Sequence, residues 1–420
     1  MKIGGSVRVP GDKSITQRAL LLAAMARGTS RLQDALVSLD TRSAAGAVRA
    51  LGARVSALRD GRPVTIAGRG RLHPPLRTID CGNSGTAARL LLGLLAAHAF
   101  RTVVTGDRSL RRRPMGRVTD PLARMGARFD GAAEHLPLAI RGDALAPLRD
   151  ELPVSSAQLK SALLLAGMAG GVPVAVREPG GRSRDHTERL LRAFGYDVGE
   201  RGGWIEFAPT GRLEPFELPV PGDFSSAIFL IGAALLAEAG ELRIASVGLN
   251  PTRTAALGVL RRMGGSVRVE ASASTLDEPL GDLVVRPSQL HATTVVSHEI
   301  PGLIDEIPML AVLASRADGC TTFHQVGELR VKESDRLALI AENLRVLGGR
   351  AEAQGNDLHV DGGMAPPRGQ VRTDGDHRIA MAFAVLGTLP GARVIVDDMR
   401  CADVSFPGFQ NVLDTIARAR

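Results

Sequence analysis

The stretch RALLLAAMA, residues 18–26, is apolar on every side after its leading arginine, so a helix built from it has no face suited to water and must be buried. Comparable stretches recur down the chain: ARLLLGLLAA (88–97), SALLLAGMAG (161–170), SAIFLIGAALLA (226–237), DEIPMLAVLAS (305–315) and RIAMAFAVLG (378–387). Their spacing is roughly 70 residues, which marks an internal repeat of one supersecondary unit. Each copy joins an apolar helix to strand-like runs and an outer amphipathic helix. The outer helices close on Leu51-Gly52, Met125-Gly126, Phe194-Gly195, Met263-Gly264 and Leu347-Gly348, where glycine accepts the left-handed backbone of a helix C-terminus. The sixth copy, after Asp397, runs on to the last residues instead.

Strand-like runs such as Val172 to Val176, Leu283 to Arg286 and Ala392 to Val396 make the repeat mixed α/β. Six units in 420 residues divide into three plus three, matching the two domains expected of that length. Pro10-Gly11 and Pro221-Gly222 each precede an aspartate and a buried helix, and such breakers suit chain crossings between lobes. The expected lobes are residues 11–221 and residues 1–10 with 222–420.

Composition narrows the function classes. Hydrophobic residues at 44% and charged residues at 23% are globular values. No stretch approaches the run of about 20 apolar residues that spans a membrane, and the first residues lack a leader's apolar core. Three scattered cysteines, Cys81, Cys320 and Cys401, form neither a disulfide framework nor a zinc motif, so a cytoplasmic location is expected. The net charge of +8 fits nucleic acid, an anionic surface or anionic substrates equally. Nucleic-acid binding is disfavoured because the single Trp204 and single Tyr196 lie away from the basic runs, leaving no stacking platform beside them.

The informative charges sit where the apolar helices begin: GDKSITQR (11–18), CGNSGTAAR (81–89), VSSAQLKS (154–161), GDFSSA (222–227), LIDEIP (303–308) and DGDHRIA (374–380). A helix start presents unpaired N–H groups and partial positive charge, a ready anion site. For Asn83, Ser84, Ser225 and Ser226, helix capping explains the residue type as well as ligand binding does. Lys13, Arg18 and Arg378 are harder to explain structurally, because a cation at a helix start is unfavourable unless an anion joins it. The spacing is not that of a P-loop.

Two further clusters stand out. Arg111-Arg112-Arg113-Pro114 is either a solvated basic run or an anion clamp. In RVKESDRL, Lys332 and Arg336 have the i,i+4 spacing of one helical face, which suits salt bridging or a site equally. Asp305 and Glu306 lie between Ile304 and Ile307, where desolvation pushes a carboxyl toward acid/base use. His377 alone reads as a core histidine.

Taken together, PGDKSITQRALLLAA, CGNSGTAARLL, RRRPMGRV, SSAQLKSALLLAG, SRDHTERLL, GDFSSA, LIDEIPMLAV, ELRVKESDRL and GDHRIAMA resemble the 5-enolpyruvylshikimate-3-phosphate synthase family over almost the whole chain, in its second, largely bacterial class. The resemblance implies a two-domain inside-out α/β barrel of six βαβαββ repeats, three per domain, with helix starts facing an interdomain cleft. It implies transfer of the enolpyruvyl group of phosphoenolpyruvate to the 5-hydroxyl of shikimate 3-phosphate, with loss of phosphate and with neither metal nor organic cofactor. The two-lobe cleft predicts closure when shikimate 3-phosphate binds, and a monomer is expected. Its partners are those two small molecules, with no nucleic acid and no membrane.

Carried over by motif, Lys13 lies between the two substrates, and Ser14, Arg18, Ser156 and Gln158, with Ser183 and Arg184, hold shikimate 3-phosphate. Asn83, Gly85, Arg113, Gln158, Arg336 and Arg378 serve phosphoenolpyruvate. Asp305 accepts the proton of the attacking 5-hydroxyl and Glu333 protonates the methylene carbon. Lys332 stabilises the intermediate and steers the hydroxyl. Two positions depart from many relatives: Val404 replaces a lysine before Ser405-Phe406-Pro407, and Glu328 replaces an asparagine of the other class. The sister enzymes that enolpyruvylate UDP-N-acetylglucosamine are the nearest alternative; they carry a reactive cysteine or aspartate on the loop corresponding to Gly106 to Arg113, where this chain has Asp107 but no cysteine.

Overall fold

A computed structural model describes residues 1–131 and 133–418. The apolar stretches form the helices Lys13–Met25, Gly85–Leu95, Ala157–Gly170, Phe224–Leu235, Ile307–Ala314 and His377–Leu386, most of whose residues are buried. The amphipathic helices are Leu39–Ala50, Gly116–Met125, His186–Ala193, Ala255–Arg262, Arg336–Val346 and Phe409–Arg418. After five of these, Gly52, Gly126, Gly195, Gly264 and Gly348 adopt φ between 82° and 120°, as the sequence led us to expect.

The chain forms two compact units. One is Gly11–Val220 with Ser274–Glu278; the other is Met1–Pro10, Pro221–Ala273 and Pro279–Arg420. The chain passes between them at Pro10–Gly11 and Val220–Pro221. The expected lobe 222–420 is not whole: the tip of one hairpin, Ser274–Glu278, belongs to the other unit. The physical reason is charge: Asp277 accepts from Arg192 at 3.0 Å, and Glu278 lies 2.7 Å from Nδ1 of buried His186.

In the unit containing Gly11–Val220, Gly85–Leu95 packs against both Lys13–Met25 and Ala157–Gly170. A Cβ at Gly93 would stand 2.1 Å from the Ala162 carbonyl oxygen, so the helices approach this closely only because residue 93 has no side chain. In the other unit Phe224–Leu235, Ile307–Ala314 and His377–Leu386 pack mutually.

Around each helical interior the sheets repeat one plan. Ile79–Asp80 runs parallel to Arg101–Thr105, which pairs antiparallel with Leu138–Arg141 and through it with Arg128–Asp130. Leu148–Glu151, Val174–Arg177, Trp204–Ala208 and Asp197–Arg201 follow the same order, as do Thr294–Val295, Cys320–Phe323, Asp357–Asp361 and Arg350–Gln354. Read along the chain, this is βαβαββ. The first repeat takes its leading strand from Glu217–Pro219, parallel to Arg27–Gln33, and the fourth takes its own from Lys2–Arg8, parallel to Ala239–Gly248. The last repeat keeps only Arg368–Val371 beside Arg393–Val396. Among the described residues no helix is long and apolar enough to cross a membrane.

Candidate active site

The candidate residues fall into two clusters, one in each unit. In the unit containing Gly11–Val220, Asp12 caps the helix Lys13–Met25 by accepting from Ile15 N at 2.8 Å. Lys13 at the helix start has an anionic partner from the protein itself, with its Nζ 3.1 Å from Asp40 Oδ2. One turn on, Arg18 is 2% exposed and donates to Thr187 Oγ1 at 2.8 Å, Ser161 Oγ at 2.9 Å and the carbonyl of Ser14 at 3.1 Å. All three acceptors are neutral. Burial pulls the Arg18 guanidinium down to about 10, against upward pulls from Glu188 and Asp12. It is a desolvated cation held in place by dipoles.

At the next buried helix, Ser84 caps Gly85–Leu95 through Ala87 N and donates to Gln17, so for Ser84 the capping reading is sufficient. Asn83 does more, bridging Asp107 at 2.7 Å and Arg113 at 2.7 Å. The basic run divides: Arg111 and Arg112 are exposed, while Arg113 is 8% exposed and also donates to Ser109. A Cβ at Gly85 would lie 2.8 Å from Arg89 Nη1 and 3.3 Å from Arg113 Nη1, so the bare backbone here makes room for two guanidinium groups. Arg89, not among the residues expected at the site, donates to Gln158 Oε1 at 2.7 Å and to the Pro114 carbonyl at 2.9 Å, while Gln158 donates to Thr86. Its i,i+4 spacing from Gly85 was the available signal. Ser156 caps Ala157–Gly170, and Ser183 and Arg184 lie in the segment leading to His186–Ala193.

In the other unit Arg336 is the centre. It is 0% exposed and donates to Asp376 Oδ2 at 2.8 Å, Asp305 Oδ1 at 3.1 Å and Glu333 Oε2 at 2.6 Å. Burial alone pulls this guanidinium down, but Asp376, Glu333 and Asp305 outweigh it and hold it above its ordinary value. The two proposed proton-transfer groups, Asp305 and Glu333, are therefore fixed by one planar fork. Asp305 also lies 3.5 Å from Arg378 Nη2 and 3.9 Å from Arg253 Nη1, and its carbonyl accepts from Arg378. Arg378 stands at the start of a helix capped by Asp376.

One local expectation is corrected. Lys332 and Arg336 do not share a helical face, because Asp335 caps the helix at Arg336 by accepting from Ala338 N at 3.0 Å, leaving Lys332 and Glu333 in the segment before it. Glu306 is buried and accepts from the Ser225 hydroxyl, which gives that carboxylate a structural partner. Among the described residues no group of His, Cys, Asp and Glu could hold a metal ion.

Comparison with known proteins covers nearly the whole chain. The family model of EPSP synthase (3-phosphoshikimate 1-carboxyvinyltransferase) matches residues 1–413. A 3-phosphoshikimate 1-carboxyvinyltransferase of Thermus thermophilus is 48% identical over 409 residues, covering 96% of this chain and 94% of that protein. One from Desulforudis audaxviator is 45% identical over 416 residues, covering 98% and 96%. Among solved structures, an EPSP synthase from Acinetobacter baumannii superposes with a TM-score of 0.85 at 36% identity, covering 99% and 96% of the two chains. The enolpyruvyl transferase NikO from Streptomyces tendae, at 19% identity and a TM-score of 0.79, shares the fold. With a family model spanning nearly its full length and relatives above 40% identity, this chain belongs to the EPSP synthase (3-phosphoshikimate 1-carboxyvinyltransferase) family.

Proposed function

We propose that this enzyme transfers the enolpyruvyl group of phosphoenolpyruvate to the 5-hydroxyl of shikimate 3-phosphate, releasing phosphate, and that the two clusters serve this one reaction. The observation that carries the reading is the Arg336 fork, which fixes two carboxylates, Asp305 and Glu333, on neighbouring nitrogens of one buried guanidinium. In this reading Asp305 takes the hydroxyl proton as the oxygen bonds to C2, and Glu333, whose partly exposed carboxylate first takes up a proton from water, delivers that proton to the methylene carbon, whose π electrons accept it. Elimination then reverses the second transfer: a proton leaves the methyl carbon, the double bond re-forms and phosphate departs from C2. Lys13, Arg113, Arg336 and Arg378, with Asn83, Gly85 and Gln158, handle the phosphoenolpyruvate anion. Ser14, Arg18, Ser156, Gln158, Ser183 and Arg184 handle the phosphorylated acceptor, and Lys332 steers its hydroxyl. Incubation with both substrates is expected to yield phosphate and a product heavier than shikimate 3-phosphate by one enolpyruvyl group, read by mass spectrometry; phosphate release without that product overturns the reading. Action as a monomer in the cytoplasm belongs to the same proposal, the location supported by three free cysteines.

The acceptor role of Arg18 makes a prediction of two signs. Its burial places a penalty of about 3 kcal/mol on the charged form, present at neutral pH and relieved only as pH rises past about 10. Arg18→Met removes that penalty, while Thr187 and Ser161 keep their mutual hydrogen bond of 2.7 Å. The expected result is a ligand-free melting temperature at or above that of the wild type, together with loss of the stabilisation that shikimate 3-phosphate brings to the wild type. Retained stabilisation by the ligand contradicts the assignment.

A further inference from the structure

Lys160 has no part in the reading above, yet it is a fully buried cation held by two carboxylates. It lies in the first turn of the helix Ala157–Gly170 and is 0% exposed, doubly unfavourable for an ammonium group. Its Nζ is 3.0 Å from Glu178 Oε2 and 2.8 Å from Glu188 Oε1, whose side chains are 5% and 1% exposed, and donates to the Ser183 carbonyl at 3.2 Å. Glu178 Oε2 in turn accepts from Ser183 N at 3.1 Å. The Lys160–Glu178 pair thus grips both backbone polar groups of Ser183. The Ser183 hydroxyl, on a residue 3% exposed, has no hydrogen-bond partner among the described residues.

The same knot reaches Arg18. Ser161 follows Lys160 and Thr187 precedes Glu188, and these two hydroxyls accept from Arg18 Nη2 and Nε. Burial pulls the Lys160 ammonium down, but Glu188 and Glu178 outweigh it, so the lysine stays charged and the knot stays ionic. A buried ion cluster is a poor source of stability, since apolar or neutral replacements of similar volume are often tolerated. What the cluster does here is fix one hydroxyl without a hydrogen-bond partner among the described residues and one desolvated guanidinium.

We propose that Lys160, through Glu178 and Glu188, is a positioning residue that holds the Ser183 hydroxyl and the Arg18 guanidinium in register for the phosphate monoester of the acceptor substrate. This rests on the proposed function. Lys160→Met alone strands two buried carboxylates and risks unfolding, so the test is the neutral triple variant Lys160→Met, Glu178→Gln, Glu188→Gln, checked for folding by circular dichroism. The expected result is a rise in KM for shikimate 3-phosphate of about 10- to 100-fold, with kcat and the KM for phosphoenolpyruvate little changed. The sign is informative: removing a cluster of net negative charge would by electrostatics alone tighten an anion, lowering KM. Glu178→Gln, which keeps the Lys160–Glu188 pair, is expected to move the same KM upward by a smaller factor, and it carries the test should the triple variant not fold. A KM for shikimate 3-phosphate that is unchanged or lower, in an assay where the wild type turns that acceptor over, overturns the proposal alone. A wild type inactive on shikimate 3-phosphate overturns the functional reading as well.

Discussion

Asp305→Asn is expected to lower turnover by on the order of 100-fold or more while the protein stays folded, because a positioned general base typically contributes at least that much. The amide has the size of the carboxylate and can still accept from Arg336, but it cannot take a proton. The fold tolerates the change because Arg336 keeps Asp376 at 2.8 Å and Glu333 at 2.6 Å. Glu333→Gln is expected to fall similarly in turnover, with one difference. Asp305 is 8% exposed and ringed by Arg336, Arg378 and Arg253, so its loss also disturbs the placement of those cations. The Asp305 variant should therefore raise the KM for phosphoenolpyruvate as well, while the Glu333 variant should act mainly on kcat. Steady-state kinetics with each substrate varied in turn checks both, and kcat within about threefold of wild type in a folded variant removes the role concerned.

Arg336→Met should have the largest effect on stability. The wild-type guanidinium is held above its ordinary range, so its contribution is complete below the usual arginine pKa and does not vary across working pH. Without it, Asp376 at 0% exposed and the largely buried Asp305 face each other and the partly exposed Glu333 with the fork gone. Breaking a buried ion network by deleting one partner costs about 3–5 kcal/mol, a large share of a typical domain's stability. Urea unfolding should register that loss, and activity should be undetectable. Arg336→Lys restores the charge but not the fork, since an ammonium cannot reach three carboxylates in the same plane. We expect it to recover part of the stability and little of the activity. A methionine variant as stable as the wild type would mean that the three carboxylates are solvated or protonated, contrary to the buried network described here.

The helical interior was legible because a stretch such as SAIFLIGAALLA has no polar face to expose, and the repeat followed from its recurrence. The glycines at 52, 126, 195, 264 and 348 were legible for the same kind of local reason, a required left-handed backbone. What remained hidden was long-range. Nothing in Glu217–Pro219 announces that it pairs with Arg27–Gln33, nor in Lys2–Arg8 that it pairs with Ala239–Gly248, because parallel pairing across such separations leaves no local spacing to read. The same holds within the site. Lys13, Arg18 and Arg378 were read as cations at helix starts awaiting external anions, yet Lys13 and Arg378 each have a protein carboxylate near them, from Asp40 and Asp305 respectively. Arg18 differs, with hydroxyl and carbonyl acceptors in place of a carboxylate. Arg89 and Lys160 went unremarked because a helical position reveals which face a side chain occupies but not the Gln158 or Glu178 that meets it.

The central claim is that shikimate 3-phosphate is the acceptor, and the direct test is steady-state phosphate release from phosphoenolpyruvate with two acceptors side by side. Turnover with shikimate 3-phosphate and none with UDP-N-acetylglucosamine is the predicted result; turnover with the UDP-sugar alone would contradict the account.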